Sequence, residues 1–248
     1  MAHSEKTTSQ YWDSLYSGKF KLRLPSKLSV GSRNLQRLLG NHICAGMRVM
    51  EIGCAPGRHL AYVAKHLKAH VSGLDYSKKG IAVSRKLFNS QGITGDLRCE
   101  DIFSTSFVND NFDVVYSFGV IEHFNDPTDI VRRHVLLLKQ GGTALIIIPN
   151  YSGFYGRLQE YFDPENLLIH NMDIMHTKAL TRLTPTDLRV EAEAFPYGRF
   201  SPWLINLSSK WPEIPARAIS YFLNFIGLLQ PFDIPFLCPI FVLKIKRM

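Results

Sequence analysis

The chain has 248 residues, 46% of them hydrophobic and 20% charged, with a formal net charge of +8 and a pI near 9.3. That composition excludes a disordered or fibrous chain and predicts one globular α/β domain with additions. The four cysteines, Cys44, Cys54, Cys99 and Cys238, form no C-x-x-C pair, which argues against a disulfide framework or a zinc site.

Such cysteine usage fits a reduced, cytoplasmic protein. The opening Met1-Ala2-His3-Ser4-Glu5-Lys6 is polar, so no signal peptide is expected from it. The positive charge admits anionic partners, although it also simply aids solubility. Basic residues gather at Lys19, Lys21, Arg23, Lys27, Arg33 and Arg37, and again at Lys244, Lys246 and Arg247.

Residues 1–18 read as a frayed start and a short helix with Tyr11, Trp12, Leu15 and Tyr16 on one side. A basic linker broken by Pro25 follows. Ser32 is a candidate cap for a helix in which Leu35, Leu38, Leu39 and Ile43 keep helical spacing. Residues 48–52 form the first strand, the run Gly53-Cys54-Ala55-Pro56-Gly57 a tight turn, and 58–67 an apolar-striped helix. A glycine turn between strand and helix lets a ligand approach the backbone and aims the helix amides at it. Strands are expected at 70–75, 97–102, 111–117 and 143–149, with a helix over 129–138 stopped by Gly141-Gly142. Regular β-α alternation of this kind predicts an open parallel sheet whose ligand sits beyond the carboxyl ends of the strands.

Beyond Pro149 the pattern changes. An aromatic-rich helix is expected over 151–162, a turn over 163–166, a polar stretch carrying His170, Asn171, Asp173 and His176, a strand over 188–195, an apolar helix over 213–230 and a last strand over 240–245.

The turn is neither a dinucleotide loop nor a P-loop: it reads Glu51-x-Gly53-x-Ala55-x-Gly57. That run after an apolar strand resembles motif I of the class I S-adenosylmethionine-dependent methyltransferases, with Ala55 where the family usually has glycine. The resemblance covers roughly 47–149. It implies a Rossmann-like open α/β sheet of seven strands, mostly parallel with the last strand antiparallel, and helices on both faces. The implied cofactor is S-adenosyl-L-methionine, with S-adenosyl-L-homocysteine as product. Implied cofactor residues are Glu51, Gly53, Cys54, Ala55, Gly57, Asp75, Tyr76, Asp101, Ile102, Ser117 and Phe118. Asp75, at a strand end about 20 residues past the glycine turn, suits a ribose. In the family the residues matching Asp101 and Ile102 hold adenine.

Val120-Ile121-Glu122-His123 followed by Asp126-Pro127 resembles the ubiquinone-biosynthesis O-methyltransferases and related small-molecule and sugar enzymes. Some of those bind a divalent metal through Glu-x-x-Glu-His, but Gly119 replaces the first glutamate, so no metal is expected. His123 is the first candidate for general base, since imidazole titrates near neutral pH. The alternative is that Glu122-His123 only braces the cofactor pocket. His170 and His176 form a second catalytic candidate set, against the alternative of a solvated insertion. The expected domain plan is a helical cap and basic linker over 1–46, the cofactor core over 47–149, and acceptor-side helices with the last two strands over 150–248.

The expected reaction is O-methylation of a small-molecule, glycan or lipid-linked acceptor by a monomer or homodimer. Nucleic acid is disfavoured, because Ser117-Phe118-Gly119-Val120 stands where base N-methylases carry an Asn/Asp-Pro-Pro-aromatic run and no RNA-binding module is evident. A non-catalytic S-adenosylmethionine-binding regulator is the alternative from another class. From Ala218 to Leu243 the only charge is Asp233, and the apolar residues surround the helix too widely for one stripe. Three prolines interrupt the run, so it does not span a membrane. It covers the sheet, pairs with a second subunit, or makes a peripheral membrane contact aided by Lys210, Arg217 and the basic clusters.

Overall fold

A computed structural model describes residues 5–18 and 20–248. The opening residues 1–4, read as part of a polar leaderless start, and Lys19 of the first basic cluster lie outside the described residues. Helix α1 (Ser9–Leu15) and α2 (Val30–Gly40) precede the sheet. Ser29, not Ser32, caps α2: its hydroxyl accepts from the Ser32 amide at 3.3 Å. A cap needs extended backbone, which Ser29 has, whereas Ser32 is already helical.

The core then alternates β1 (Arg48–Ile52), α3 (Arg58–His66), β2 (His70–Asp75), α4 (Lys78–Gln91), β3 (Asp96–Cys99), β4 (Phe112–Phe118), α5 (Thr128–Leu137) and β5 (Leu138–Pro149). Next come α6 (Gly153–Phe162), α7 (Pro164–Leu168), α8 (Thr177–Arg182), β6 (Val190–Tyr197), α9 (Glu213–Leu229) and β7 (Ile240–Arg247). The seven strands lie in the order β3-β2-β1-β4-β5-β7-β6. Strands β1 to β5 run parallel, and β7 is inserted antiparallel between β5 and β6. This is the expected Rossmann-like sheet.

Alternation along each buried strand sends side chains to two cores. Val49, Val114, Tyr116 and Val242 face α2, α3 and α4; Met50, Ile52, Val115 and Leu243 face α5, α6 and α8. Each fully buried aliphatic side chain contributes roughly 1.5–3 kcal/mol of transfer free energy, so the two-faced sheet carries most of the fold.

Three further expectations need correction. Gly141-Gly142 does not end a helix, because α5 stops at Leu137 and the glycines lie within β5, where the register against β4 slips between Phe112 and Val114. Gly141 takes a φ of +79° there, which a larger residue would resist. The third strand is shorter than 97–102: Asp101 turns the chain by accepting the Phe103 amide, and a single 3-10 turn follows. The turn expected over 163–166 is the start of α7, with Pro164 in its first turn, where proline loses no hydrogen bond.

Candidate active site

The site grows from the β1–α3 turn. Gly53 and Gly57 take φ of +70° and +82°, which side chains rarely adopt. A Cβ on Gly53 would lie 2.5 Å from Val120 Cγ2, and one on Gly57 2.9 Å from Ser84 Cβ. Both glycines are therefore required by close approach as well as by backbone shape. The amides of Gly53 and Cys54 both donate to the Leu74 carbonyl, at 2.9 and 3.0 Å, which locks the turn to the end of β2. There Asp75 accepts the Ala55 amide on Oδ2 (3.1 Å) and the Ser77 amide on Oδ1 (2.8 Å). Burial raises its pKa against those two amides. Each oxygen keeps a lone pair for a hydroxyl in the cavity.

That cleft opens at the carboxyl ends of β1, β2 and β4, with about 730 Å³ of empty space that merges with solvent. Of the expected cofactor residues, Gly53, Ala55, Asp75, Tyr76, Asp101, Ile102 and Phe118 line it. Glu51, Cys54, Gly57 and Ser117 are not in its wall. Glu51 is buried on the α3 side of β1, and burial pushes its pKa up to about 8, although the Tyr116 hydroxyl and Leu60 amide pull the other way. Its proton is thus held well above the usual carboxylate range.

The N-terminal segment supplies a wall that the sequence reading did not assign to the site. Glu5, Thr7, Trp12 and Tyr16 all face the cavity. The Tyr16 hydroxyl donates to the Ala55 carbonyl at 3.0 Å, and Asp13 accepts the Ser77 hydroxyl at 2.6 Å and the Lys79 amide at 3.1 Å. The Lys6 amide donates to the His123 carbonyl at 2.7 Å. The available signal was the pair Trp12 and Tyr16 at i, i+4, which puts both rings on one side of a single short helix.

After β4 the chain makes one 3-10 turn, Ile121–His123. His123 lines the cavity, with its ring 5.2 Å from Trp12 and 4.8 Å from His170. Its Nδ1 lies 2.9 Å from the Ile169 carbonyl, so Nδ1 carries the proton and Nε2 is the basic nitrogen. Nδ1 of His170 meets the Asn166 carbonyl at 2.5 Å, which fixes the same tautomer. Burial first, and His170 second, lower the His123 pKa to about 4.

Glu122 is fully buried and neither oxygen completes a hydrogen bond of ordinary geometry. Burial pushes it up to about 8, against the nearby Val120 and Glu122 amides. Glu122, His123 and His170 each bring a ligand-type atom within 4.8 Å of the other two. Asn171 ties this trio together: its amide donates to the Glu122 carbonyl at 2.6 Å and its side chain to the Phe124 and Asn125 carbonyls, both at 3.0 Å. His176 stands apart, exposed, with Nδ1 capping α8 at the Ala179 amide. Asp173 is likewise exposed.

A family model described as a methyltransferase domain matches residues 50–146. The ubiquinone biosynthesis O-methyltransferase of Ruegeria pomeroyi is 31% identical over 153 residues, covering 58% of this chain and 60% of that protein. Phosphoethanolamine N-methyltransferase 1 of Triticum aestivum is 28% identical over 102 residues, covering 41% and 20%. The chain thus spans about three fifths of the length of the ubiquinone relatives first matched, at 59% and 60%. Among solved structures, the [4+2]-cyclase SpnF superposes with a TM-score of 0.62 at 15% identity, covering 100% of this chain and 97% of that one. The plantazolicin methyltransferase BpumL in complex with S-adenosylhomocysteine gives 0.55 at 18% identity, covering 89% and 82%. The structural likenesses establish the fold. The sequence match places a methyltransferase domain over residues 50–146, on the stretch that carries the glycine corner.

Proposed function

We propose that the chain is a class I S-adenosylmethionine-dependent methyltransferase that moves a methyl group to an oxygen atom of a small-molecule, glycan or lipid-linked acceptor. The observation that carries the reading is His123, set in the cavity wall with Nδ1 committed to a carbonyl and Nε2 left basic.

The residues fit the cofactor. Asp75 faces the cavity with lone pairs placed for two ribose hydroxyls, and Asp101 and Ile102 line the side where adenine would lie. Gly53 leaves room against Val120 that a side chain would fill. S-adenosylmethionine supplies a methyl already activated on a sulfonium. The chain's task is to align the acceptor and to take its proton. His123 is a weak base at a pKa of about 4, but an oxygen gaining a methyl becomes strongly acidic. With the cofactor bound, an acceptor hydroxyl that takes the methyl would pass its proton to Nε2 of His123. The carbonyl of Ile169 holds the ring while its charge develops.

Two measurements test this. Asp75→Ala is expected to weaken S-adenosylmethionine and S-adenosylhomocysteine binding by about 1–3 kcal/mol in calorimetry, the cost of lost hydrogen bonds in a buried site. Labelled S-adenosylmethionine incubated with fractionated cell extract is expected to place the label on an acceptor in a base-stable ether. A folded sample that binds no cofactor sinks the reading. One that binds it but never releases S-adenosylhomocysteine is a binder rather than an enzyme, an outcome that a fold shared with a cyclase leaves room for.

A second reading rests on Glu122. A fully buried carboxyl that completes no hydrogen bond of ordinary geometry, beside two histidines whose Nδ1 atoms are tied to carbonyls, is a donor set suited to a divalent cation. Glu122, His123 and His170 would hold it, with His170 taking the place that Gly119 leaves vacant in the resembled Glu-x-x-Glu-His motif. Turnover that is lost in chelator and restored by a divalent cation selects this reading; chelator-insensitive turnover selects His123 as a free base.

A further inference from the structure

Helix α9 packs on the body through Ala216, Leu223 and Gly227, is fastened by one polar residue, and leaves most of its large side chains facing outward. Only Ala216 and Gly227 of it are buried. Ile214, Tyr221, Phe222, Phe225 and Leu229 are 83, 68, 63, 56 and 66% exposed, and Phe232 beyond the helix 65%. A soluble monomer rarely leaves so many large side chains in water on one element. The helix carries no charge from Ala218 to its end. Asn224 fastens it to the segment before α2: its Nδ2 donates to the Leu28 carbonyl at 2.8 Å, and its Oδ1 accepts the Val30 amide at 2.9 Å.

That neighbouring segment has the complementary character. Residues 20–28 read Phe-Lys-Leu-Arg-Leu-Pro-Ser-Lys-Leu, with Phe20, Leu22 and Leu28 exposed between exposed Lys21, Arg23 and Lys27. No acidic residue occurs from Ser14 to Met50. Among the described residues no ion pair engages Lys21, Arg23 or Lys27. Near α9 the acids are Glu213, which pairs with Arg217 at 3.4 Å, and Asp233, which pairs with Arg37 at 2.6 Å.

We infer that α9 and residues 20–28 together form a surface that docks on an anionic lipid bilayer. Aromatic and aliphatic side chains enter the headgroup boundary, and the adjoining cations meet lipid phosphates and carboxylates. A second copy of the chain is the poorer occupant, because a two-fold contact over α9 would draw two uncompensated basic segments toward each other. No helix among the described residues is long and apolar enough to cross a membrane, so the contact is interfacial. The surface reaches the site. Trp203, 46% exposed, packs 5.5 Å from Phe118 in the cavity wall and close against Gly31 of α2. Docking would therefore bring the cavity rim to the bilayer, whatever atom of the acceptor is methylated.

Vesicle flotation with the full chain tests this. We expect flotation with equimolar phosphatidylcholine–phosphatidylserine vesicles in low salt, none with phosphatidylcholine alone, and weakening as salt rises. The double variant Phe222→Ser/Phe225→Ser and the variant Lys21→Glu/Lys27→Glu are each expected to lower the bound fraction by about tenfold or more. Both change exposed residues, so cofactor affinity and circular dichroism should match the parent chain. The inference is overturned if the chain stays in solution with anionic vesicles at low salt. Flotation that neither variant alters also overturns it. So does a dimer in light scattering that Phe222→Ser/Phe225→Ser converts to monomer without any vesicle binding, since a second copy then covers the face.

Discussion

Replacing His123 with alanine lowers turnover by about 10²–10⁴-fold while leaving S-adenosylmethionine affinity within a few fold of the parent. The reason lies in what the ring touches. Its Nδ1 is bound to the Ile169 carbonyl, its face packs against Trp12, and its Nε2 is the only ring atom left for proton transfer. None of these contacts reaches Asp75, Asp101 or the glycine turn, so cofactor binding has no reason to change. His123→Asn separates chemistry from packing, because an amide can keep the donor to Ile169 without offering a base of comparable strength. A structural role predicts near-parent turnover for asparagine; a base predicts the alanine result. The pH profile adds a check. With a pKa near 4, His123 is deprotonated across the neutral range, so kcat/KM should show no rise between pH 5.5 and 7.5 of the kind an ordinary histidine, near 6.5, would give. Rates for alanine and parent that agree across that range would remove His123 from the mechanism.

Glu51→Gln changes how stability depends on pH. The folded chain holds the Glu51 proton to about pH 8, whereas an unfolded glutamate releases it near 4.3. The sign follows: the native state binds the proton more tightly, so this contribution is complete below about pH 4 and is lost as pH rises through 8. At about 1.4 kcal/mol per unit, the loss between pH 5 and 8 is on the order of 4 kcal/mol. Glutamine mimics the neutral acid and does not titrate, so the variant should gain on the parent by that order as pH rises. His134, lowered to about 4 by burial, works in the opposite sense, and its stability is lost as pH falls from 6.5 toward 4. It and Glu122 are common to both proteins and cancel in the comparison. Denaturant melts at three pH values decide the point. Parallel curves for parent and variant would show that Glu51 is ionised in the native state after all.

The cofactor half of the molecule was legible because buried parallel strands have a plain signature. Val49, Val71 and Val114 sit in short apolar runs that end in the small or acidic residue that turns the chain, and Ile146 in one closed by Pro149. Asp75 was readable for the same reason. Glu51 sits at the same kind of strand end; alternation along β1 places it on the α3 side, where burial raises its pKa, a property of the packing that the residue type alone does not carry. The helix stop at Gly141-Gly142 misled because those glycines serve a slipped register between β4 and β5, a property of the pairing and not of the local run. His170 and His176 look equivalent in sequence. Only the fold separates them, since the Asn171 hydrogen bonds draw the first under Glu122 while the second caps a helix in solvent. The wall made by α1 was the least visible part, because seven residues with no buried side chain give almost no periodic signal.

That wall couples two equilibria. Helix α1 is held by Tyr16 on the Ala55 carbonyl and by Asp13 on the start of α4, both at the corner that receives the cofactor, while Trp12 closes the cavity beside His123. A molecule in the cavity therefore adds contacts to a segment that has few of its own. By reciprocity, whatever factor a bound nucleoside gains from the ordered segment is the factor by which it biases the segment toward order. Amide exchange reads this directly: protons of residues 9–16 should be slowed by S-adenosylhomocysteine to the same degree that deleting the segment weakens its binding. On that expectation helix α1 is part of the binding equilibrium and not a passive cover.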